Sequence, residues 1–233
     1  MTAYYEHAGI VIYHGDCLDV LSRLEPETFD AIVTDPPYGI DYQSAWRTDK
    51  AEWKPKIRND KAPFIWWLYH GWRVVREGGC VLCFCRWDTQ DVFKVALDAA
   101  GFTTRSQVIW DRIDHGMGDL KGAYAPQHDV IWFATKGAFD FHGARPKSIV
   151  RAARLSGEAL QHPNEKPVSL MVTLVRDVAD AGDVVLDPMM GSGTTLVAAK
   201  AIGRRAVGIE ADERYCELAA KRLSQEALPL EVA

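Results

Sequence analysis

No apolar run in this chain approaches the ~20 residues that a bilayer-spanning helix requires. The first residues, Met1-Thr2-Ala3-Tyr4-Tyr5-Glu6-His7, carry neither a basic stretch nor an apolar core, so no secretory signal is expected. Cysteine is scarce. The five thiols show no disulfide framework, and a reducing cytoplasm is the simplest setting. A single CxxC occurs, Cys80-Val81-Leu82-Cys83, inside an apolar run that follows Gly78-Gly79 and reads as a strand. Residues three apart in a strand point to opposite faces, so this pair cannot chelate one zinc ion, and no metal site is expected. Positive charge is not in excess either. The net charge is −5, so any polyanion binding must come from local clusters rather than from the sum. Repeats, low-complexity tracts and dividing linkers are all missing, which argues for one domain over residues 1–233.

What is there is an ordinary globular composition, 48% hydrophobic and 25% charged. Seven short apolar runs read as strands, at about 9–13, 29–34, 80–85, 106–110, 129–134, 184–187 and 205–209. Amphipathic stretches at about 17–24, 62–76, 89–100, 167–179, 193–202 and 212–224 read as helices. Such alternation predicts a mainly parallel sheet covered on both faces. The runs near 106–110 and 129–134 have no helix between them and are expected to form an antiparallel pair. Two long segments, 39–60 and 137–165, show no periodicity, and loops of that length in a compact domain are commonly functional. Each carries a basic cluster. Residues 43–61 hold six Lys/Arg against three acids, including Arg47, Lys50, Lys54, Lys56 and Arg58. Residues 141–154 hold Arg145, Lys147, Arg151 and Arg154 with no acid. Either cluster is a solvated face or a set of phosphate contacts.

Two segments carry chemistry. Asp35-Pro36-Pro37-Tyr38 follows the buried run 29–34, at the carboxyl end where open α/β sheets hold ligands. It offers a carboxylate, a stiffened backbone whose prolines donate no N–H, and a flat ring. These suit a planar molecule bearing an amino group: Asp35 and a prolyl carbonyl accept its N–H bonds and Tyr38 stacks on its plane. A strand end with a Pro-Pro turn and a packed tyrosine is the plainer account. The second segment runs Val184-Val185-Leu186-Asp187-Pro188-Met189-Met190-Gly191-Ser192-Gly193-Thr194-Thr195, a strand, Gly-rich turn and helix start. Gly191 and Gly193 admit a ligand close to the backbone. No Gly-Lys-Ser/Thr follows, so this is not a phosphate loop. The next run ends in Glu210, placed to bind both hydroxyls of a ribose, or else to cap the following helix. A ribose-reading acid without a pyrophosphate loop fits a nucleoside cofactor better than NAD. Asp16, after the first run, is either an acceptor for an adenine amino group or a helix N-cap. Lys166 is either a partner for a carboxylate in this pocket or a surface lysine.

Taken together, these segments resemble the amino-methylating DNA methyltransferases, in the permuted order of their beta group: catalytic tetrapeptide first, Gly-rich cofactor motif last. Gly15-Asp16-Cys17-Leu18 and His162-Pro163-Asn164-Glu165-Lys166-Pro167 match the same group, and the likeness spans most of residues 10–224. It implies a Rossmann-like methyltransferase fold, a mixed, mainly parallel seven-stranded sheet with helices on both faces. It implies S-adenosylmethionine as cofactor, held by Asp16, Cys17, Asp35, His162, Asn164, Lys166, Asp187, Pro188, Met189, Gly191, Ser192, Gly193, Thr194, Thr195 and Glu210. It implies double-stranded DNA as partner, gripped by the two basic clusters: a mobile loop at about 39–60 and a short target-recognition insert at about 137–161. A homodimer and a cognate restriction endonuclease belong to the same picture, in a bacterial or phage-encoded cytoplasmic protein. The catalytic set is Asp35, Pro36, Pro37 and Tyr38. Transfer is a direct in-line displacement onto the exocyclic amine of a flipped base, with no covalent intermediate and no catalytic cysteine. Trp46 and Trp53 wedge into the stack or pack their loop.

The chain departs from the family pattern at Met189, where Phe is usual, and at Asn164-Glu165, where Thr-Gln is common. Asp35, rather than the Ser frequent in N4-cytosine enzymes, favours adenine N6, with cytosine N4 still open. A silent DNA-binding module that responds to cofactor also remains open. An NAD-binding dehydrogenase fits Gly191 to Glu210 but leaves Asp35-Pro36-Pro37-Tyr38 without a purpose.

Overall fold

The computed structural model describes residues 1–39, 60–116, 120–141, 143–155 and 165–225. In chain order the elements are β1 (Tyr5–His7), β2 (Ile10–His14), α1 (Cys17–Arg23), β3 (Phe29–Thr34), α2 (Trp67–Val74), β4 (Val75–Cys85) and α3 (Gln90–Ala100). There follow β5 (Thr103–Asp111), β6 (His128–Thr135), β7 (Ile149–Arg151), α4 (Val168–Val178), β8 (Val184–Asp187), α5 (Thr194–Ala201), β9 (Arg205–Glu210) and α6 (Glu213–Ser224). They build one sheet in the order β1-β2-β9-β8-β3-β4-β6-β5-β7.

All seven expected strands are present, five of the eight strand pairings are parallel, and β5 and β6 pair antiparallel as expected. The strand count needs correction. Two three-residue strands, β1 and β7, extend the edges and bring the sheet to nine. β7 lies inside the segment read as aperiodic and runs parallel to β5, with Arg151 opposite Asp111. The helix expected at 62–76 is shorter. Its chain straightens at Val75 into β4.

The apolar pattern explains the layers. β3 is buried along nearly its whole length, as a central parallel strand must be. On β4, Cys80, Leu82 and Phe84 face one core with Leu170 and Leu174 of α4, Leu196 of α5 and Leu223 of α6. Val81, Cys83 and Cys85 face the other, with Leu21 of α1, Trp67 and Leu68 of α2, and Phe93 and Leu97 of α3. Cys80 and Cys83 therefore point into opposite layers, as the strand period requires. All five cysteines are free and buried. Among the described residues no helix is long and apolar enough to cross a membrane.

Candidate active site

The strand directions place the ends of β2, β9, β8, β3, β4, β5 and β7 and the start of β6 along one rim. From β3 the chain moves outward to β4, whereas from β8 it moves the opposite way to β9. The crevice between β3 and β8 is thus the topological switch point, where open α/β sheets bind ligands. Asp35 leaves one side of it and Asp187-Pro188 the other.

A buried strut joins the two sides. Thr34, the last residue of β3, has no exposed surface, and its hydroxyl donates to Asp187 Oδ1 at 2.9 Å. Thr195 Oγ1 donates to Asp187 Oδ2 at 2.6 Å, and the Met189 N–H to Oδ1 at 3.2 Å. These bonds favour the carboxylate, but burial outweighs them and pushes Asp187 up to about 6.

Asp35 is engaged on both oxygens. The Tyr38 hydroxyl donates to Oδ1 and the Lys166 ammonium to Oδ2. The carboxylate that Lys166 meets is therefore that of the tetrapeptide itself. Its nitrogen also stands 5.0 Å from the Phe84 ring centroid. Tyr38 packs edge-on against Phe93 with centroids 6.5 Å apart, and burial beside Asp35 holds its hydroxyl well above the ordinary phenol range. Residues 60–64 return alongside. The Phe64 N–H donates to the Pro37 carbonyl at 3.0 Å and the Gly39 N–H to Asp60 Oδ1 at 2.6 Å. A Cβ on Gly39, where φ is +86°, would fall 2.4 Å from the Pro63 nitrogen, so only glycine fits there.

The Gly-rich turn is braced by Glu210. Glu210 accepts from the Gly191 N–H at 3.0 Å and the Asp212 N–H at 2.8 Å, and burial raises its carboxyl above the usual range. It is not the cap of α6, a role taken by Asp212, which accepts from the Arg214 N–H at 3.0 Å. Asp16 caps α1 by accepting from the Leu18 N–H at 3.0 Å. It stands two residues past His14, which pairs with Glu210 across the strands. Cys17, on the first turn of α1, is buried, and desolvation pushes its thiol up to about 12. Met189 lies half-buried against the layer of α1 and α2, and Pro188 is buried. Ser192, Thr194 and Thr195 are buried side chains turned into the protein. Gly193, with φ of +79°, begins α5, and a Cβ there would fall 2.8 Å from Ala219 Cβ. Gly193→Ala is therefore expected to destabilise the fold by about 2 kcal/mol in urea titration.

Arg222 and Glu165 were not among the expected site residues. Arg222 Nη1 donates to the Ser192 carbonyl at 2.9 Å and to Ser192 Oγ at 3.0 Å, and lies 2.8 Å from Glu165 Oε1. Residues 165 and 222 are far apart in sequence, and only the departure from Gln at Glu165 hinted that a cation was needed. Thr34 was missed too, although a hydroxyl ending an apolar strand was a visible signal. Arg145, Lys147, Arg151 and Arg154 are exposed, and Arg151 Nε donates to Asp111 Oδ2 at 2.9 Å. His162, Asn164, Arg47, Lys50, Lys54, Lys56 and Arg58, with Trp46 and Trp53, lie outside the described residues.

A crevice with a Gly turn braced by the Glu210 carboxyl on one side and a paired carboxylate on the other suits methyl transfer to an amine. Residues 29–221 match the N6/N4 DNA methylase family, and the chain belongs to it. It is thus an S-adenosylmethionine-dependent DNA methyltransferase of the class that modifies adenine N6 or cytosine N4. The chain is 28% identical over 250 residues to the type II methyltransferase M2.DpnII of Streptococcus pneumoniae, covering 96% of this chain and 92% of that one. It is 31% identical over 216 residues to the methylase YubD of Escherichia coli (strain K12), covering 90% and 88%. Among solved structures, the M1.HpyAVI–SAM complex aligns with a TM-score of 0.72 at 26% identity, over 93% of this chain and 100% of that one. The cytosine-N4-specific PvuII methyltransferase shares the fold, with a TM-score of 0.75 at 16% identity over 97% and 92%.

Proposed function

We propose that this chain methylates adenine N6 at a specific site in duplex DNA, in a bacterial or phage-encoded cytoplasmic setting with a cognate endonuclease, and as a homodimer. The pairing of Asp35, at the switch point, with a Gly-rich turn braced by Glu210 supports transfer to an amine, and the choice of adenine rests on Asp35 standing where N4-cytosine enzymes often carry Ser.

Glu210 offers acceptors for ribose hydroxyls beside the turn, and Asp16 stands near it for an adenine amino group. Bound there, S-adenosylmethionine supplies an electrophilic methyl group on a sulfonium sulfur. The chain's own residues act on the acceptor. An aromatic amine is a poor nucleophile because its lone pair is delocalised into the ring. Hydrogen bonds from its two N–H groups to Asp35 and to a main-chain carbonyl favour a pyramidal nitrogen with its lone pair directed at the donor. The Pro37 carbonyl already accepts from Phe64 on one lone pair, so the Pro36 carbonyl is the less encumbered of the two for this task. As the nitrogen becomes cationic, Asp35 stabilises it and receives its proton. Tyr38 stacks on the flipped base.

The exposed basic residues flanking β7 support the DNA contact. From β3 to β7 there are four strand steps, roughly 19 Å at the usual spacing, or about five to six nucleotide steps of one strand. Replacing Arg145, Lys147 and Arg154 together with alanine is expected to weaken binding and to flatten the slope of log affinity against log salt by about 2 to 3. Sequencing with methylation detection, after expression in an unmethylated host, tests the whole reading. N6-methyladenine in one fixed context supports it; N4-methylcytosine moves the enzyme to the other base, and unmodified DNA removes the activity.

A further inference from the structure

We propose that Lys166 is a positioning residue for Asp35, and that Glu165 and Arg222 register it by tying its backbone to the Gly-rich turn. The proposal rests on reading the crevice as a methyl-transfer site.

Three observations carry it. First, Lys166 donates to one oxygen of Asp35 while Tyr38 donates to the other, so the carboxylate plane is held from both edges. A carboxylate has about four lone-pair sites, so the two fixed donors leave room for an incoming amine. The Lys166 side chain is only 12% exposed, and its ammonium lies against the Phe84 ring, which restricts it further. Second, the neighbouring Glu165 turns the other way. Its side chain is 4% exposed and pairs with Arg222 at 2.8 Å. A carboxylate buried that deeply needs such a partner. Third, Arg222 grips the Gly-rich turn through the Ser192 carbonyl at 2.9 Å and the Ser192 hydroxyl at 3.0 Å, and reaches Thr194 Oγ1 at 3.4 Å.

Two consecutive residues thus reach the two halves of the crevice. Glu165 is anchored to the turn that borders the cofactor side, and Lys166 to the carboxylate that receives the amine. Misplacement of reacting groups by about 1 Å can lower rate a hundredfold, so this link has leverage on turnover without touching substrate. It also accounts for the chain's Glu at position 165: Arg222 supplies the charge that a Gln would not need.

The test is steady-state methylation of DNA by the full chain, with calorimetric titration of S-adenosylhomocysteine. Lys166→Met is expected to lower kcat about 100-fold, with KM for DNA and the Kd for S-adenosylhomocysteine within about threefold of the parent. Lys166→Arg keeps the cation but is bulkier against Phe84, so it should recover only part of that loss. Arg222→Gln should lower kcat in the same direction, and combining it with Lys166→Met should add little. Lys166→Gln keeps a donor without the charge and serves if the Met variant does not fold, with an expected kcat between those of Met and Arg. An unchanged kcat in Lys166→Met or Lys166→Gln overturns the proposal. So does tenfold weaker S-adenosylhomocysteine binding at normal kcat, which would place Lys166 on the cofactor side. A parent chain inert on DNA overturns the functional reading and this proposal with it, whereas an active parent with indifferent variants overturns this proposal alone.

Discussion

Asp35→Ala is expected to reduce methyl transfer to DNA by about a thousandfold or more, while binding of S-adenosylhomocysteine stays within roughly threefold. The asymmetry follows from where Asp35 sits. It ends the β3 side of the crevice, whereas the Gly-rich turn, Glu210 and Asp16 lie on the β8, β9 and β2 side. Removing the carboxylate deprives the incoming amine of its strongest acceptor. It also strands the Lys166 ammonium, which lies mostly buried against Phe84. Stability should therefore fall by about 1–3 kcal/mol, a loss that urea titration separates from the kinetic one. Asp35→Asn keeps the volume but removes the charge, one acceptor oxygen and the proton acceptor together, so its rate should fall nearly as far as that of Asp35→Ala. Single-turnover incorporation of tritiated methyl groups is the decisive measurement. A variant that turns over like the parent would remove Asp35 from the chemistry.

Asp187→Asn is expected to remove part of the protein's pH dependence. The Asp187 carboxyl is pushed up from 3.8 to about 6 by burial. An acid raised in the fold favours its neutral form there. Its contribution is complete below about pH 4 and is lost as pH rises through about 6. The difference corresponds to roughly 3 kcal/mol. Asparagine does not titrate, so the variant should gain about that much on the parent between pH 4 and pH 7. At low pH, where the parent's carboxyl is itself protonated and carries a donor as the amide does, the two should be close in stability. Urea titrations at the two pH values, without cofactor, read the effect. Parallel stability curves would mean that Asp187 does not titrate in that window.

What the sequence disclosed was local. The tetrapeptide, the Gly-rich turn and Glu210 each lie within a few residues of a strand end, so their places on the rim followed from the strand pattern. Contacts across long separations were hidden. Thr34 meets Asp187 across 153 positions, and no short window contains both. The Lys166 partner was legible as a carboxylate but not as Asp35, because only the sheet order brings β3 beside the segment leading into α4. β1 and β7 escaped because three residues give no alternation to read, and both exist through pairing with a neighbour. The start of β4 was absorbed into the preceding helix because Val74 and Val75 are apolar in either conformation, and no breaker separates them. Asp16 took the cap reading of the two offered for it. It caps a helix and stands on the rim, because a helix start at a strand's carboxyl end is both things at once.

The alternation of Cys80 with Cys83 and Cys85 along β4 has a use beyond excluding zinc. Each layer of the molecule holds its own sulfhydryl reporters: Cys80 and Cys216 on one side, Cys17, Cys83 and Cys85 on the other. Desolvation pushes the thiols of Cys17, Cys85 and Cys216 up to about 12. At pH 8 the reactive thiolate is then about one part in ten thousand, so alkylation waits for an opening event. Timed labelling with peptide mapping would therefore record separately how often each side of the sheet comes apart. The two layers of the molecule could be ranked by their breathing rates using only its native cysteines.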